Sequence, residues 1–355
     1  MPKLKLIRRE KESAMARLVV PVLSIIMAFT CGWVFLAVSG YSAAVVFTKM
    51  FNGALGSPYA ISETIVKAIP LMIAGLAISL AFKMKLWNIG AEGQIYMGAF
   101  AASGIALALG NGSPYILIPL MMIAGFAAGA LWGLVPGILK AYWQVNETII
   151  TLMLNYIGIF WVDYLVFGPW KDPNSMGFPL TPIFSPAAQL PTWGDSRVHL
   201  GLLFAVIIAI VFYLLVQYTR WGYEVRVMGE SSQAARYAGM SVSKNIILVM
   251  MISGGIAGIA GMIEVSGITH RLQQGVSPGY GYTAIIVAWL ARLNPFAIIL
   301  VAFLFGALIV GGFAVQMVGV SFSITQILQG MVLFFLLAGE IFLRYSLVLV
   351  REEAD

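Results

Sequence analysis

Ten apolar stretches separated by polar joints constrain this chain more than any other feature of its sequence. At 1.5 Å per residue, an α-helix of about 20 residues crosses ~30 Å of hydrocarbon. The predicted spans are residues 18–38, 61–82, 89–109, 115–139, 148–167, 200–217, 246–268, 282–291, 296–317 and 324–343. Hydrophobic residues make up 60% of the chain and charged residues only 10%, unlike a soluble domain. We therefore predict an all-α integral membrane protein with about ten transmembrane helices in a lipid bilayer.

The basic residues indicate how the spans are oriented. The amino end is basic, and the apolar run after it is too long for the core of a cleaved signal peptide, so we predict that it remains as the first span. With residues 1–17 in the cytoplasm, only five of the 21 Lys and Arg residues fall outside, as the positive-inside rule requires. Because the rule also guided the assignment, this agreement is a consistency check. The transmembrane domain, residues 18–343, then returns the chain to the cytoplasm, and residues 344–355 form a tail.

Two joints are predicted to lie on the external side. Residues 168–200 contain six prolines, which remove backbone donors, so we expect an external cap with little regular helix and a candidate docking surface for another protein. Residues 41–60 are mixed in character and include Gly53, Gly56 and Pro58. We expect this joint to lie at the outer surface, since it is too broken to span.

The predicted span 282–291 is only half the usual length. Pro278, Gly279 and Gly281 precede it and Pro295 follows it. Interrupted helices of this kind are tolerated in transporters only where they line a cavity or are buried in protein.

Small residues recur at a spacing that brings helices close together. The pairs are Gly125 with Gly129, Gly133 with Gly137, and Gly254 with Gly258. We predict close helix packing along these faces.

Several classes of function are disfavoured. No Gly-x-x-x-x-Gly-Lys-Ser/Thr stretch occurs, so we predict a transport subunit without an ATPase site of its own and without a cofactor. His199 and His270 have no Cys or carboxylate at ligand spacing, so no metal site is expected. Cys31 is the single cysteine and cannot form an internal disulfide. The net charge is +6, but the basic residues are scattered beside apolar spans, which argues against nucleic acid as a partner.

Polar residues inside the spans are candidates for a translocation path, because a carboxylate in hydrocarbon costs roughly 2.5 to 3.5 kcal/mol. Glu92 has two open interpretations: it lines the path, or it forms hydrogen bonds that fix the fold. Asp163 and Glu147 lie near span ends and are interpreted as interfacial. The aromatic residues Trp87, Tyr96, Tyr156 and Phe160 are more typical of membrane-interface anchors than of stacking groups. The predicted path residues are Asn88, Glu92, Gln94, Asn155 and Glu264.

The longest polar insertion lies within the cytoplasmic loop 218–245. Ser231 suits an N-cap, the residues after it favour helix, Arg236 lies near the helix end, and Gly239 suits a left-handed stop. A helix of about two turns is unstable alone, so packing against the rest of the chain or a partner must hold it. A solvated connector without a role is the alternative.

Two motifs carry a resemblance to a known family. Gly222, Arg226 and Gly229, followed by the sequence Gln-Ala-Ala-Arg-Tyr-Ala-Gly at 233–239, resemble the cytoplasmic loop of permeases of ATP-binding-cassette (ABC) importers. The subgroup they resemble serves simple sugars, nucleosides and branched-chain amino acids. Residues 86–101 resemble its nucleoside and simple-sugar branch. Together with residues 292–295, the resemblance covers most of 61–343.

The resemblance implies a type II ABC importer-like permease fold in a bacterial-type plasma (inner) membrane. In that family the short cytoplasmic helix is the coupling helix, which sits in a groove of the ATPase subunit. The implied partners are ABC ATPase subunits, a second permease, identical or related, and an external substrate-binding protein. The residues implied in coupling are Gly229, Ser231, Ala234, Ala235, Arg236 and Gly239.

These observations lead us to expect import of a neutral hydrophilic solute, with nucleosides first. A nucleoside stacks on aromatic rings and bonds amide edges, whereas an amino acid needs charged partners. The alternatives are ribose or another simple sugar, and, from a different class, an ion-gradient secondary transporter.

Overall fold

A computed structural model describes residues 3–8, 14–110, 112–194, 196–317 and 319–350. Within this described part the chain is mostly α-helical, which confirms the predicted fold class. The elements are β1 (Lys3–Arg8), α1 (Ala14–Val38), α2 (Ala43–Leu55), α3 (Pro58–Lys83), α4 (Ala91–Ala108), α5 (Pro114–Trp143), α6 (Glu147–Phe167), α7 (Gly201–Tyr218), α8 (Arg220–Glu230), α9 (Ser232–Tyr237), α10 (Val242–Ile263), α11 (Tyr280–Leu290), α12 (Pro295–Gln316), α13 (Ser323–Arg344) and β2 (Tyr345–Val350).

Every predicted span overlaps one of these helices. In the described part, six helical segments are long and apolar enough to cross a membrane. α4 has 18 residues but is not among them, because its glycines, Ser103, Glu92 and Gln94 lower its hydropathy. The six segments are Pro58–Lys83, Pro114–Trp143, Glu147–Phe167, Gly201–Tyr218, Val242–Thr269 and Pro295–Gln316.

The chain divides into two compact units, of which the first combines Met1–Ala54 with Leu308–Asp355. Here α1 packs along α13, and α2 contributes Val46 and Met50 to an apolar core with Val315 and Leu328. The two strands of this unit pair antiparallel, with Lys3 opposite Val350 and Arg8 opposite Tyr345. The sequence analysis did not predict this strand pair.

The structure corrects the prediction for residues 41–60. Most of this joint is the regular helix α2, because Ala43, Val46, Met50 and Ala54 recur at helical spacing and are buried. At 13 residues, or about 20 Å, α2 is too short to cross the hydrocarbon.

The second unit, Leu55–Ala307, is built around close contacts between α4, α5 and α10. A methyl group added at Gly254 would collide with the carbonyl of Gly129, and one added at Gly258 would collide with that of Gly125. Gly98 on α4 meets Gly258 in the same way. The predicted glycine-mediated packing is therefore confirmed.

One end of this unit is covered by the predicted cap, residues 168–200, where the described residues contain one three-residue 3-10 turn, Pro186–Ala188, and no α-helix. This confirms the predicted lack of regular helix. The cap is held by backbone bonds, including Thr181 N–H to the Leu272 carbonyl at 2.9 Å and Leu190 N–H to the Ser266 carbonyl at 3.0 Å.

α10 continues into a π-helical segment, Glu264–Thr269, and residues 271–279 then run without regular helix to the start of α11. α11 has 11 residues and is about 16 Å long, half of a membrane span. The predicted interruption before this half-span is confirmed.

Candidate functional site

The turn between α3 and α4 is fixed by a buried pair of amide side chains. Asn88 donates to Gln94 Oε1 at 3.1 Å, and Gln94 donates back to Asn88 Oδ1 at 3.2 Å. Asn88 also donates to Ser253 Oγ on α10 at 2.9 Å and accepts from Gly90 N–H at 3.1 Å. Both amides are buried, so these bonds hold the turn against α10.

Glu92 joins the first turn of α4 to the first turn of α11. Its side chain is only 2% exposed, and Oε2 accepts from Gly281 N–H at 2.7 Å. The carboxylate also accepts from the Ser277 hydroxyl and from Gly279 N–H. A carboxylate beside the positive end of a helix is well placed, so the described contacts favour the interpretation that Glu92 fixes the fold.

Gly281 explains how the two helices approach so closely. A methyl group at this position would collide with the backbone of Glu92. Only glycine therefore lets the interrupted helix begin at this point.

Asn155 ties α6 to the same region. Its Oδ1 accepts from Gly93 N–H at 2.8 Å, and its Nδ2 donates to the Ile89 carbonyl at 2.9 Å and to Tyr282 Oη at 3.2 Å. The structure therefore brings Asn88, Glu92, Gln94 and Asn155 together around the starts of α4 and α11.

Glu264 lies in the π-helical segment, and its Oε1 is 3.6 Å from Lys67 Nζ on α3. Nearby on α3, Glu63 forms a 2.9 Å ion pair with Arg197 of the cap. The buried Tyr280 is close to both Glu264 and Glu92, which links this charged pair to the other four predicted path residues. Lys67 is one of the five basic residues that the sequence predicts to lie outside.

Asp163 was interpreted as interfacial, but the structure places it beside the irregular segment before α11. It is half-buried, it hydrogen-bonds the side chain of Gln274, and its Oδ1 has no hydrogen-bond partner in the described part of the chain. The signal in the sequence is the spacing of eight residues from Asn155, which puts both on one side of α6.

His199 is a fully buried polar group of the cap. Its Nδ1 accepts from Gly201 N–H at 3.2 Å, and its ring lies against Gly201 and Gly267. Burial, with the charges of His270 and Arg197, lowers the pKa of His199 to about 4. Burial also lowers the pKa of His270. Both imidazoles are therefore neutral at pH 7.

The loop 218–245 contains two short helices, α8 and α9. Thr219 caps α8 by accepting from Gly222 N–H at 3.0 Å, and Arg226 donates to the Val216 carbonyl and to Gln217 Oε1, both at 2.7 Å. A methyl group at Gly229 would collide with the carbonyl of Lys83 at the end of α3. α8 is thus anchored to the ends of α7 and α3.

The second helix of the loop, α9, is the predicted short helix. Ser231 caps it by accepting from Ala234 N–H at 3.2 Å, and Gly239 ends it with φ of +76°. Ala235 is fully buried within this chain and anchors α9, so it is not available to a partner's groove. The exposed side of α9 is formed by Ser231, Ser232, Gln233, Ala234, Arg236 and Tyr237.

The chain is similar to known proteins over most of its length. A family model described as branched-chain amino acid transport system / permease component matches residues 60–337. The guanosine ABC transporter permease protein NupP of Bacillus subtilis is 37% identical, over 84% of this chain and 86% of its own. The glucose ABC transporter permease protein TsgB13 of Haloferax volcanii is 36% identical, over 92% and 88%. The nucleoside ABC transporter permease protein NupB of Lactococcus lactis is 29% identical, over 90% of both chains.

Proposed function

The chain belongs to the family of branched-chain amino acid transport system permease components and is an ABC transporter permease, and on that premise we propose that it imports nucleosides. The observation that carries the choice of solute is its 37% identity, over 84% of the chain, to a relative named as a guanosine permease. NupB, whose name refers to nucleosides, supports the same choice.

The polar chemistry near the interrupted helix supports a neutral solute. The groups gathered there are amides, hydroxyls and carboxylates, and Lys67, a cation beside them, is paired with Glu264. An amino acid carries an ammonium and a carboxylate that need partners on the path, whereas a nucleoside needs hydrogen bonds and aromatic surfaces.

A simple sugar is the second candidate. The glucose-named relative TsgB13 is 36% identical and is covered over 88% of its length. Ribose or glucose would use the same amides and hydroxyls without the stacking. Membership of an ABC permease family removes the support for an ion-gradient secondary transporter.

Coupling to ATP hydrolysis is assigned to the exposed side of α9. Tyr237 is 87% exposed and Ala234 lies on the same short helix, while Ala235, Gly229 and the Ser231 cap hold the helix in place. We assign ATP hydrolysis to partner ATPase subunits, with a second permease completing the membrane unit. An external binding protein would deliver the solute to the cap, in a plasma (inner) membrane with both termini of this chain cytoplasmic.

The solute is tested by uptake into proteoliposomes that carry the whole complex. We expect labelled guanosine or uridine to enter with ATP, excess unlabelled nucleosides to compete, and excess glucose or ribose to leave uptake unchanged. Complete competition by a sugar, with none by other nucleosides, would assign the sugar instead.

A further inference from the structure

The face of α6 next to the interrupted helix carries polar groups that lipid would not tolerate. Asp163, on a helix that is long and apolar enough to cross a membrane, is half-buried, and Gln274, which hydrogen-bonds it, is exposed. A carboxylate facing hydrocarbon is costly, and irregular backbone such as residues 271–279 is tolerated within a membrane only where it is buried or lines a water-filled cavity. This face must therefore meet water.

Two tyrosine rings lie next to these groups. Tyr282, at the start of α11, is held by the bond from Asn155 to its hydroxyl, and its ring is 37% exposed. Tyr156 is 49% exposed and lies near Tyr282. The buried Tyr96 lies near both Asp163 and Tyr282. Tyr96, Tyr156, Tyr282 and Asp163 therefore share one region.

We propose that Tyr156, Tyr282, Asp163 and Gln274 form a solute-contact surface that binds the nucleoside during translocation. This inference rests on the proposed function and names the residues that would recognise that solute. The tyrosine rings offer faces on which a base can stack, and the exposed amide of Gln274, which Asp163 holds by a hydrogen bond, bonds an edge of the base or a hydroxyl of the ribose.

The charges of these side chains also indicate which solutes the solute-contact surface would not bind. None of its four side chains is cationic. A phosphate would therefore meet no counter-charge on this surface. Uncharged nucleosides therefore fit this surface, and nucleotides do not.

Cysteine accessibility tests whether the surface faces the path. Cys31 is the single cysteine, so a Cys31→Ser variant that retains uptake provides a background for Tyr156→Cys and Gln274→Cys. Ile157→Cys is the matched control, since Ile157 is the next residue of α6, is also exposed and is apolar. The reagent is a charged, membrane-impermeant maleimide, applied to the whole complex in the membrane.

We expect Cys at 156 and 274 to react at least about tenfold faster than Cys at 157, since the thiolate forms in water and not in lipid. Saturating guanosine should slow both reactions, and glucose should not. Equal rates at all three positions, or fast labelling that no solute slows, would overturn the proposal. Protection by glucose alone would overturn the nucleoside class.

Uptake kinetics test the recognition itself. We expect Tyr282→Leu to lower kcat/KM for guanosine about tenfold, a typical cost of losing one base–aromatic stack, while ATP hydrolysis continues. Tyr282→Phe keeps the ring and should stay within about twofold, and Asp163→Asn should lower uptake like Tyr282→Leu. Tyr59→Leu, at an exposed tyrosine of α3, is the control.

The two proposals fail in different ways. A wild-type complex that takes up no nucleoside refutes the proposed function, whatever the variants do. A wild-type complex that takes up guanosine, with Tyr282→Leu and Asp163→Asn both within twofold of it, refutes the solute-contact surface alone.

Discussion

Glu92 shows how the fold of a membrane protein can hold a buried carboxylate. Three donors surround it, from Ser277, Gly279 and Gly281, and all belong to the start of α11. Sequence reasoning could find the polar residue but not these partners, because Glu92 and Gly281 are 189 positions apart. The contact between Asp163 and Gln274 could not be predicted for the same reason, because the two residues are far apart in the sequence.

Replacing Glu92 by Gln tests this role. The NH2 of the new amide would face one of the three donors that now bond the carboxylate, and that hydrogen bond would be lost. We therefore expect the free energy of unfolding to fall by about 1–3 kcal/mol, and uptake to fall with the amount of folded protein. The measurement is thermal unfolding in detergent beside uptake per folded complex. Unchanged stability with abolished uptake would return Glu92 to the translocation path.

His199 makes the stability of the cap depend on pH. Its pKa is about 4 in the folded chain against about 6.5 when unfolded, so only the unfolded chain gains a proton as pH falls through this window. The stabilisation is complete above pH 6.5 and is lost between 6.5 and 4, by at most on the order of 3 kcal/mol. We expect unfolding temperatures to fall over this range and His199→Asn to flatten the fall. A variant with the same pH profile as the wild type would show that other groups control it.

At the scale of elements, apolar periodicity predicted the long helices well and missed α2 and the π-helical segment. α2 was missed because Gly53, Gly56 and Pro58 are typical of a break in regular structure, although four residues that prove to be buried lie there at helical spacing. The π-helical turn, Glu264–Thr269, has no local signature, since it depends on the cap that bonds to it. The cap of α9 was predictable because Ser231 and Ala234 are only three positions apart.

On α9, the buried side chain anchors the helix, and we expect the exposed side chains to couple ATP hydrolysis to uptake. Ala235→Glu would bury an unpaired charge, so we expect little folded protein. Ala234→Glu and Tyr237→Ala change only exposed side chains, so we expect folded complexes whose ATP hydrolysis continues while uptake falls about tenfold or more, the loss expected of a residue central to an interface. Tyr142→Ala, at an exposed tyrosine of α5, is the control. Normal uptake in both Ala234→Glu and Tyr237→Ala would remove α9 from coupling.

At the scale of the whole molecule, composition and span length were sufficient for the fold class, whereas the contacts that pack the helices required the structure. The glycine pairs were visible in the sequence, but their partners were not. Gly258 faces both Gly98 and Gly125, so three helices meet at one residue without a side chain.

This meeting point predicts a large effect of a small substitution. In Gly258→Ala the methyl group would collide with backbone atoms that cannot move aside, so we expect a loss of about 1–3 kcal/mol or more and reduced membrane abundance. In Gly330→Ala, on α13, the methyl group meets open space, so stability should be unchanged or slightly raised. Equal unfolding temperatures for the two variants would contradict the packing.

The pairing of β1 with β2 limits the number of times that the chain can cross the bilayer. Lys3 and Val350 lie opposite each other in one antiparallel ladder, so both must be in the same compartment. A polypeptide that leaves and re-enters one compartment crosses its boundary an even number of times, whatever the hydropathy of each helix. Two halves of a split fluorescent reporter fused to the ends should therefore complement each other within one molecule.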